Sequence, residues 1–186
     1  MVVVFGDSLT ENKAQFVTPS EHWTVKLQQQ ITANGLDAKR TVTVINEGIG
    51  GENTDDALLR LPGVLAQYKP THIFLTHGTN DIPPFCCGYF GQPQANLEAM
   101  AALAKKAGVK VIMGEFTLKV FGDDIANGYT NMYVQAAKNS KSTYVNLVKN
   151  LPYDAGNYQP DGVHFTDGAQ EAIKNNAASA LFPLLD

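Results

Sequence analysis

Four short polar segments carry side chains able to share one reaction: Gly6-Asp7-Ser8-Leu9, Asn46-Glu47-Gly48-Ile49-Gly50-Gly51-Glu52, His77-Gly78-Thr79-Asn80-Asp81 and Asp161-Gly162-Val163-His164. A serine hydroxyl is a weak nucleophile until a base takes its proton, and histidine is the usual base near neutral pH. Ser8 and His164 supply that pair. The imidazole must also present the correct nitrogen, which a carboxylate on its other side can enforce. Asp161 stands three residues before His164, so in a turn or a first helical coil both side chains can project the same way. Acyl transfer further needs donors for the oxygen that becomes negative. Glycine N–H groups and an Asn side-chain amide can provide them, each worth about a hundred- to a thousandfold in rate where tested.

Such residues need a frame that brings distant segments to one edge. Short β-branched runs at residues 2–5, 41–46, 71–77, 109–115 and 143–147 read as buried strands. Helical patterns lie between them. Thr18-Pro19-Ser20-Glu21 has the spacing of a capping box, and Trp23, Leu27 and Ile31 then recur every four residues before Gly35. Asn53-Thr54 opens a second helix, which Pro62 is expected to kink or interrupt. Leu97, Met100, Leu103, Ala104 and Ala107 mark a third, ending at Gly108, and residues 124–138 and 166–181 supply two more. This alternation predicts an α/β fold, a three-layer αβα sandwich around a parallel sheet, as one domain over residues 1–186. Ligands in such folds sit beyond the carboxyl ends of the strands, where the first three polar segments fall. The fourth stands just before the last helix.

In order and spacing, the four segments resemble the blocks of the SGNH (GDSL) hydrolases, and the resemblance runs essentially the whole length of the chain. The stretch 46–61, followed by Pro62 and the Lys69-Pro70 step, resembles the bacterial thioesterase I/lysophospholipase L1 branch. That likeness implies a flavodoxin-like sheet of five parallel strands and a catalytic Ser8, Asp161 and His164. It also implies an oxyanion hole made by the Ser8 N–H, the Gly51 N–H and the Asn80 side-chain amide. Phe165 departs from the family pattern, in which Pro often follows the histidine. Singly the segments are unspecific; a Gly-Asp-Ser-Leu or an Asp-x-x-His usually marks only a turn. Together and in order they are specific.

Composition narrows the function classes. The 186 residues include 44% apolar and 17% charged residues and carry a net charge of −4, an ordinary balance for a folded globular chain. That charge gives no electrostatic reason for a nucleic-acid partner, and no apolar run is long enough to span a bilayer. Gly48-Ile49-Gly50-Gly51-Glu52-Asn53 glances at a dinucleotide fingerprint, but Asn53 takes the last glycine's place and the segment is not the first βα turn. Cys86 and Cys87 are adjacent, which disfavours an ordinary bridge, and they lack the histidines of a zinc site. No cofactor or metal is implied. His22, His72 and Trp23 read as structural; His77, ending the third strand, could be core or pocket lining. Met1 runs straight into a strand, which fits a cytoplasmic protein, or a periplasmic or extracellular one whose leader or upstream domain has been removed.

The function expected is a serine ester hydrolase acting on short- to medium-chain carboxylic esters, with thioesters and lysophospholipids within reach. The alternative is a carbohydrate O-acetyl esterase acting on glycan-borne esters. A catalytically decayed carbohydrate- or lipid-binding module is the non-enzymatic alternative, against which the intact Ser8, Asp161 and His164 speak. Substrate choice is expected in the loops at 82–92 and 118–127, with Phe85, Tyr89, Phe90 and Phe121.

Overall fold

The computed structural model describes residues 1–36, 41–82, 91–117 and 119–185. Five strands, β1 (Val2–Gly6), β2 (Val44–Gly48), β3 (His72–Leu75), β4 (Lys110–Glu115) and β5 (Thr143–Asn146), pair in parallel in the order β2-β1-β3-β4-β5. Five helices connect or follow them: α1 (Trp23–Ala33), α2 (Thr54–Tyr68), α3 (Gly91–Lys106), α4 (Asp123–Ser140) and α5 (Gln170–Leu181). Helix α1 packs on α5, while α2, α3 and α4 pack in series, so two helical layers sandwich the sheet. This is the expected doubly wound architecture. The strand order reverses direction between β1 and β3, the place where folds of this kind seat their ligands.

The central strands are fully sequestered. All of β1 and β3 is buried, and all of β4 except Lys110, which is why their sequences are largely apolar, with the buried His72 and Glu115 at the ends of β3 and β4 as exceptions. The edge strands β2 and β5 are only half-buried and accordingly carry Asn46, Glu47, Thr143 and Asn146. In register, Gly6 lies opposite Gly48, and Phe5 lies opposite both Glu47 and Leu75. The three strands thus end level, and their following loops leave from one edge. Gly6 is required there. A Cβ at this position would sit 2.0 Å from the Thr76 hydroxyl and 2.4 Å from that of Thr10, which bond to each other at 2.7 Å over the glycine.

Helix boundaries show where local signals lose to tertiary partners. Helix α1 begins at Trp23 rather than after Thr18, so the expected capping box does not form. Thr18 instead donates its N–H and hydroxyl to Asp167, at 2.8 and 2.7 Å, and His22 caps α1 by accepting the Thr24 N–H. Trp23, Leu27 and Ile31 are fully buried, as their periodicity predicts. Asn53 caps α2 by accepting the Asp56 N–H at 2.9 Å. Pro62 does not interrupt that helix, which runs on to Tyr68. Pro62 and Gly63 lie on its exposed side, where water can serve a carbonyl lacking its N–H partner. In α3 the buried face includes Leu97, Met100, Ala101 and Ala104, while Leu103, and Ala107 just past the helix end, are exposed. No helix among the described residues is long and apolar enough to cross a membrane.

Candidate active site

Ser8 occupies a turn immediately after β1. The Asp7 carboxylate accepts the Leu9 N–H at 3.0 Å, and the Asp7 carbonyl accepts the N–H groups of Thr10 and Glu11 at 3.1 and 3.0 Å. Neighbouring strands reinforce it, because the Asn46 amide donates to the Thr10 carbonyl at 2.7 Å and the Ile49 N–H to the Gly6 carbonyl at 2.9 Å. Asp7 is completely buried. Burial raises its carboxyl above the usual range, opposed by His77, by the Leu9 N–H and by Thr79. Locked below by these bonds, the turn leaves Ser8 partly exposed.

His164 and Asp161 come from a small hairpin before α5. Tyr158 and Phe165 form an antiparallel bridge, the Gln159 N–H donates to the His164 carbonyl at 2.8 Å, and Gly162 closes the loop onto the Gln159 carbonyl at 2.8 Å. Phe165, the departure from the family pattern, anchors this hairpin in the core, buried against Phe116 and Tyr158. Nε2 of His164 lies 3.0 Å from the Ser8 Oγ, and Nδ1 lies 2.7 Å from Oδ2 of Asp161. The other carboxylate oxygen of Asp161 accepts the Val163 and His164 N–H groups at 2.8 and 2.9 Å. Partial burial would raise the Asp161 carboxyl, but the His164 ring and these two N–H groups outweigh it and hold the group below its ordinary value. The carboxylate is therefore ionised at neutral pH, and Nδ1–H is the natural donor to it. That leaves Nε2 able to accept the Ser8 proton.

The remaining residues converge from β2 and β3. Gly51 has φ of +81°, a left-handed conformation that a glycine adopts without strain, in an exposed turn closed by the Glu52 N–H on the Ile49 carbonyl at 3.2 Å. Among the described residues, neither the Ser8 N–H nor the Gly51 N–H is donated to another group. Asn80 sits in a 3₁₀ turn after β3 and donates one amide N–H to the Glu52 carbonyl at 2.9 Å. A second tie joins the same two loops: Asp81 accepts the Thr54 N–H at 3.0 and 3.1 Å and the Thr54 hydroxyl at 2.5 Å.

Several residues at the site carry no obvious sequence signal. Phe16 stacks flat on the His164 ring, with centroids 3.8 Å apart and planes 2° from parallel, and its carbonyl accepts the Gln159 amide at 2.6 Å. His77 is fully buried and does not line the surface; its Nε2 pairs with Glu52 at 2.7 Å. His22 and His72 are structural as expected. His72 bridges Thr71 and the Leu184 carbonyl, while burial drives the His22 pKa down to about 4. The depression at Ser8 and His164 is shallow. Two wider clefts, of about 460 and 430 Å³, flank the segment 159–166, the first lined by Tyr153, Asp154, Tyr158, Gln159 and Gly162. Of the expected substrate loops, Ile82 is buried and Phe121 packs half-buried against the core, whereas residues 83–90, including Phe85, Cys86, Cys87, Tyr89 and Phe90, and residue 118 lie outside the described residues. Among the described residues, no group of three or more His, Cys, Asp or Glu side chains is placed to hold a metal ion.

A serine, a histidine and a carboxylate in relay at the carboxyl edge of a doubly wound sheet define the class of an acyl-transferring serine hydrolase. Comparison with known proteins agrees. Residues 4–172 match the GDSL-like Lipase/Acylhydrolase family, and the chain belongs to that family. It is 30% identical to "Esterase TesA" of Pseudomonas aeruginosa over 99% of this chain and 89% of that protein. It is 24% identical to "Thioesterase 1/protease 1/lysophospholipase L1" of Escherichia coli K12, over 100% of this chain and 85% of that one. A solved structure, "Crystal Structure of TesA", superposes with a TM-score of 0.88 at 28% identity, covering 98% of both chains.

Proposed function

We propose that the protein hydrolyses short- to medium-chain carboxylic esters through an acyl-enzyme on Ser8, with thioesters and lysophospholipids as further substrates of the same site. The observation that carries the reading is the continuous relay, 3.0 Å from Ser8 to His164 and 2.7 Å from His164 to Asp161. As the Ser8 Oγ attacks the acyl carbon, its proton passes to Nε2 of His164, and Asp161 stabilises the resulting imidazolium without taking the proton. The carbonyl oxygen becomes an oxyanion, received by the Ser8 N–H, the Gly51 N–H and the free N–H of the Asn80 amide. Collapse of the tetrahedral intermediate breaks the bond to the alcohol, which leaves with the proton held on Nε2. Water repeats the sequence: it gives its proton to His164, attacks the acyl-enzyme and releases the acid and the Ser8 hydroxyl.

A second reading, a glycan O-acetyl esterase, is favoured by one observation. The cleft of about 460 Å³ beside Gly162 presents the exposed ring of Tyr153, backed by the buried Tyr158, with Asp154 and Gln159, a surface that suits a sugar. A series of p-nitrophenyl esters from acetate to dodecanoate decides between them. An acyl groove buries about 0.8 kcal/mol per methylene, so each added carbon that fits raises kcat/KM about fourfold. A rise through butyrate or hexanoate supports the acyl-ester reading; a sharp optimum at acetate, with acetate released from acetylated glycans, replaces it. Both readings require a serine-directed phosphonate to label Ser8, and Ser8→Ala to abolish hydrolysis in a folded protein. Substantial activity in that variant would remove the assignment.

A further inference from the structure

We propose that Glu52 is a positioning residue for the oxyanion hole, locked by Arg60 and His77 so that its main chain aims the Asn80 amide and holds the Gly51 turn. The inference rests on the oxyanion roles proposed for Asn80 and Gly51. A side-chain amide has two N–H groups and one oxygen, and its direction is set by whichever partner it finds. In Asn80 one N–H is donated to the Glu52 carbonyl at 2.9 Å, which fixes the nitrogen on that side and leaves the second N–H for a substrate. The Glu52 N–H closes the turn that contains Gly51. One residue's main chain therefore governs two of the three donors.

The side chain explains why that main chain stays in place. Glu52 is 8% exposed, and its carboxylate meets three charged or polar donors. Arg60 grips it in a fork, Nε to Oε1 at 2.7 Å and Nη2 to Oε2 at 2.5 Å, and Nε2 of His77 reaches Oε2 at 2.7 Å. Arg60 is itself fixed. It donates to the Glu47 carboxylate and carbonyl at 2.9 and 3.0 Å, and its guanidinium lies 4.2 Å from the Phe5 ring centroid. Glu47 accepts the Tyr68 hydroxyl at 2.6 Å. The carboxylate of Glu52 thus joins the ends of β2 and β3 and the first half of α2. Burial would raise its pKa, yet the bonds from His77 and Arg60 prevail and hold it below the usual range, so it is a charged anchor at neutral pH. An ion pair buried at such cost is weak evidence of stabilisation, since well-packed apolar side chains often do as well. Directional charge-assisted bonds do what apolar packing cannot, which is to set the orientation of the loop.

A double-mutant cycle tests the proposal with p-nitrophenyl butyrate. Asn80→Ala alone is expected to lower kcat about a hundred- to a thousandfold, the loss of one oxyanion donor. Glu52→Gln keeps the side chain's shape but removes its charge, and should lower kcat by about ten- to a hundredfold with KM nearly unchanged, because a misaimed donor costs less than a missing one. Combined with Asn80→Ala, Glu52→Gln should cost clearly less than it does alone, since the amide it aims is already gone and only the Gly51 donor is left to be misplaced. Should Glu52→Gln fail to fold, Arg60→Lys, which cannot make the fork, carries the same cycle. An Asn80→Ala protein of unaltered kcat would overturn the oxyanion reading and this inference with it. A damaged Asn80→Ala protein together with a normal Glu52→Gln protein, a loss confined to KM, or losses that multiply in the double variant would overturn this inference alone.

Discussion

Replacing Asp161 with Asn offers a stringent check on the relay, because the structure dictates which way the new amide must face. One Asp161 oxygen accepts two backbone N–H groups, from Val163 at 2.8 Å and His164 at 2.9 Å, and the other accepts Nδ1–H of His164 at 2.7 Å. An Asn amide has one oxygen, and the two backbone donors hold it in the first position. Its NH₂ then faces Nδ1 of His164 and can only donate. Nδ1 must become the acceptor, the ring proton moves to Nε2, and Nε2 can no longer take the proton of Ser8. The loop keeps its backbone hydrogen bonds, so the fold should be unchanged. The expected loss in kcat is about 10³- to 10⁴-fold, equivalent to roughly 4 to 5.5 kcal/mol of barrier. Steady-state kinetics with p-nitrophenyl butyrate measures it, and the rate of phosphonate labelling at Ser8 should fall in parallel because the same proton transfer is involved. An Asp161→Asn enzyme within tenfold of the parent would refute both the tautomer argument and the role of Asp161.

Phe16→Ala removes the ring stacked on His164, and loss of about 0.5 to 2 kcal/mol of stacking should lower kcat by about two- to thirtyfold; an unchanged kcat would make the stack incidental. His22 is held neutral by burial with its pKa near 4, while in the unfolded chain it titrates near 6.5. Between those values the unfolded state binds the extra proton, so stability is full above about pH 6.5 and falls as the pH drops toward about 4, by up to about 1.4 kcal/mol per unit. His22→Asn, which can still cap α1, should flatten that part of the Tm–pH curve; a curve unchanged by the substitution would refute the assignment. Hydrolysis should survive EDTA, because the proposed relay and its donors would supply nucleophile, base and oxyanion stabilisation without an ion; reversible inactivation would require a metal site.

Much of the fold was legible in the chain because its signals are local. The central strands are largely apolar runs because helices cover both of their faces, and Trp23, Leu27 and Ile31 trace the buried stripe of α1 by spacing alone. Ser8, Asp161 and His164 could be named from residue type, and their positions beside strand ends and a helix start indicated that they would meet. The departures share a cause, competition from groups distant in sequence. Thr18 does not cap α1 because Asp167, 149 residues away, takes its N–H and hydroxyl. Leu103 fits the periodicity of α3 yet faces outward, because the orientation of a helix is chosen by its neighbours α2 and α4. Phe16 over His164, and Glu52 held between Arg60 and His77, had no pattern to betray them. A buried charge pair or a stacked ring needs only proximity in space, and proximity between a helix, a strand end and a loop exists only once the sheet has brought their ends level. Residue chemistry and periodicity therefore determined which groups could react and in what kind of fold, whereas tertiary packing decided how the groups that aim them are held.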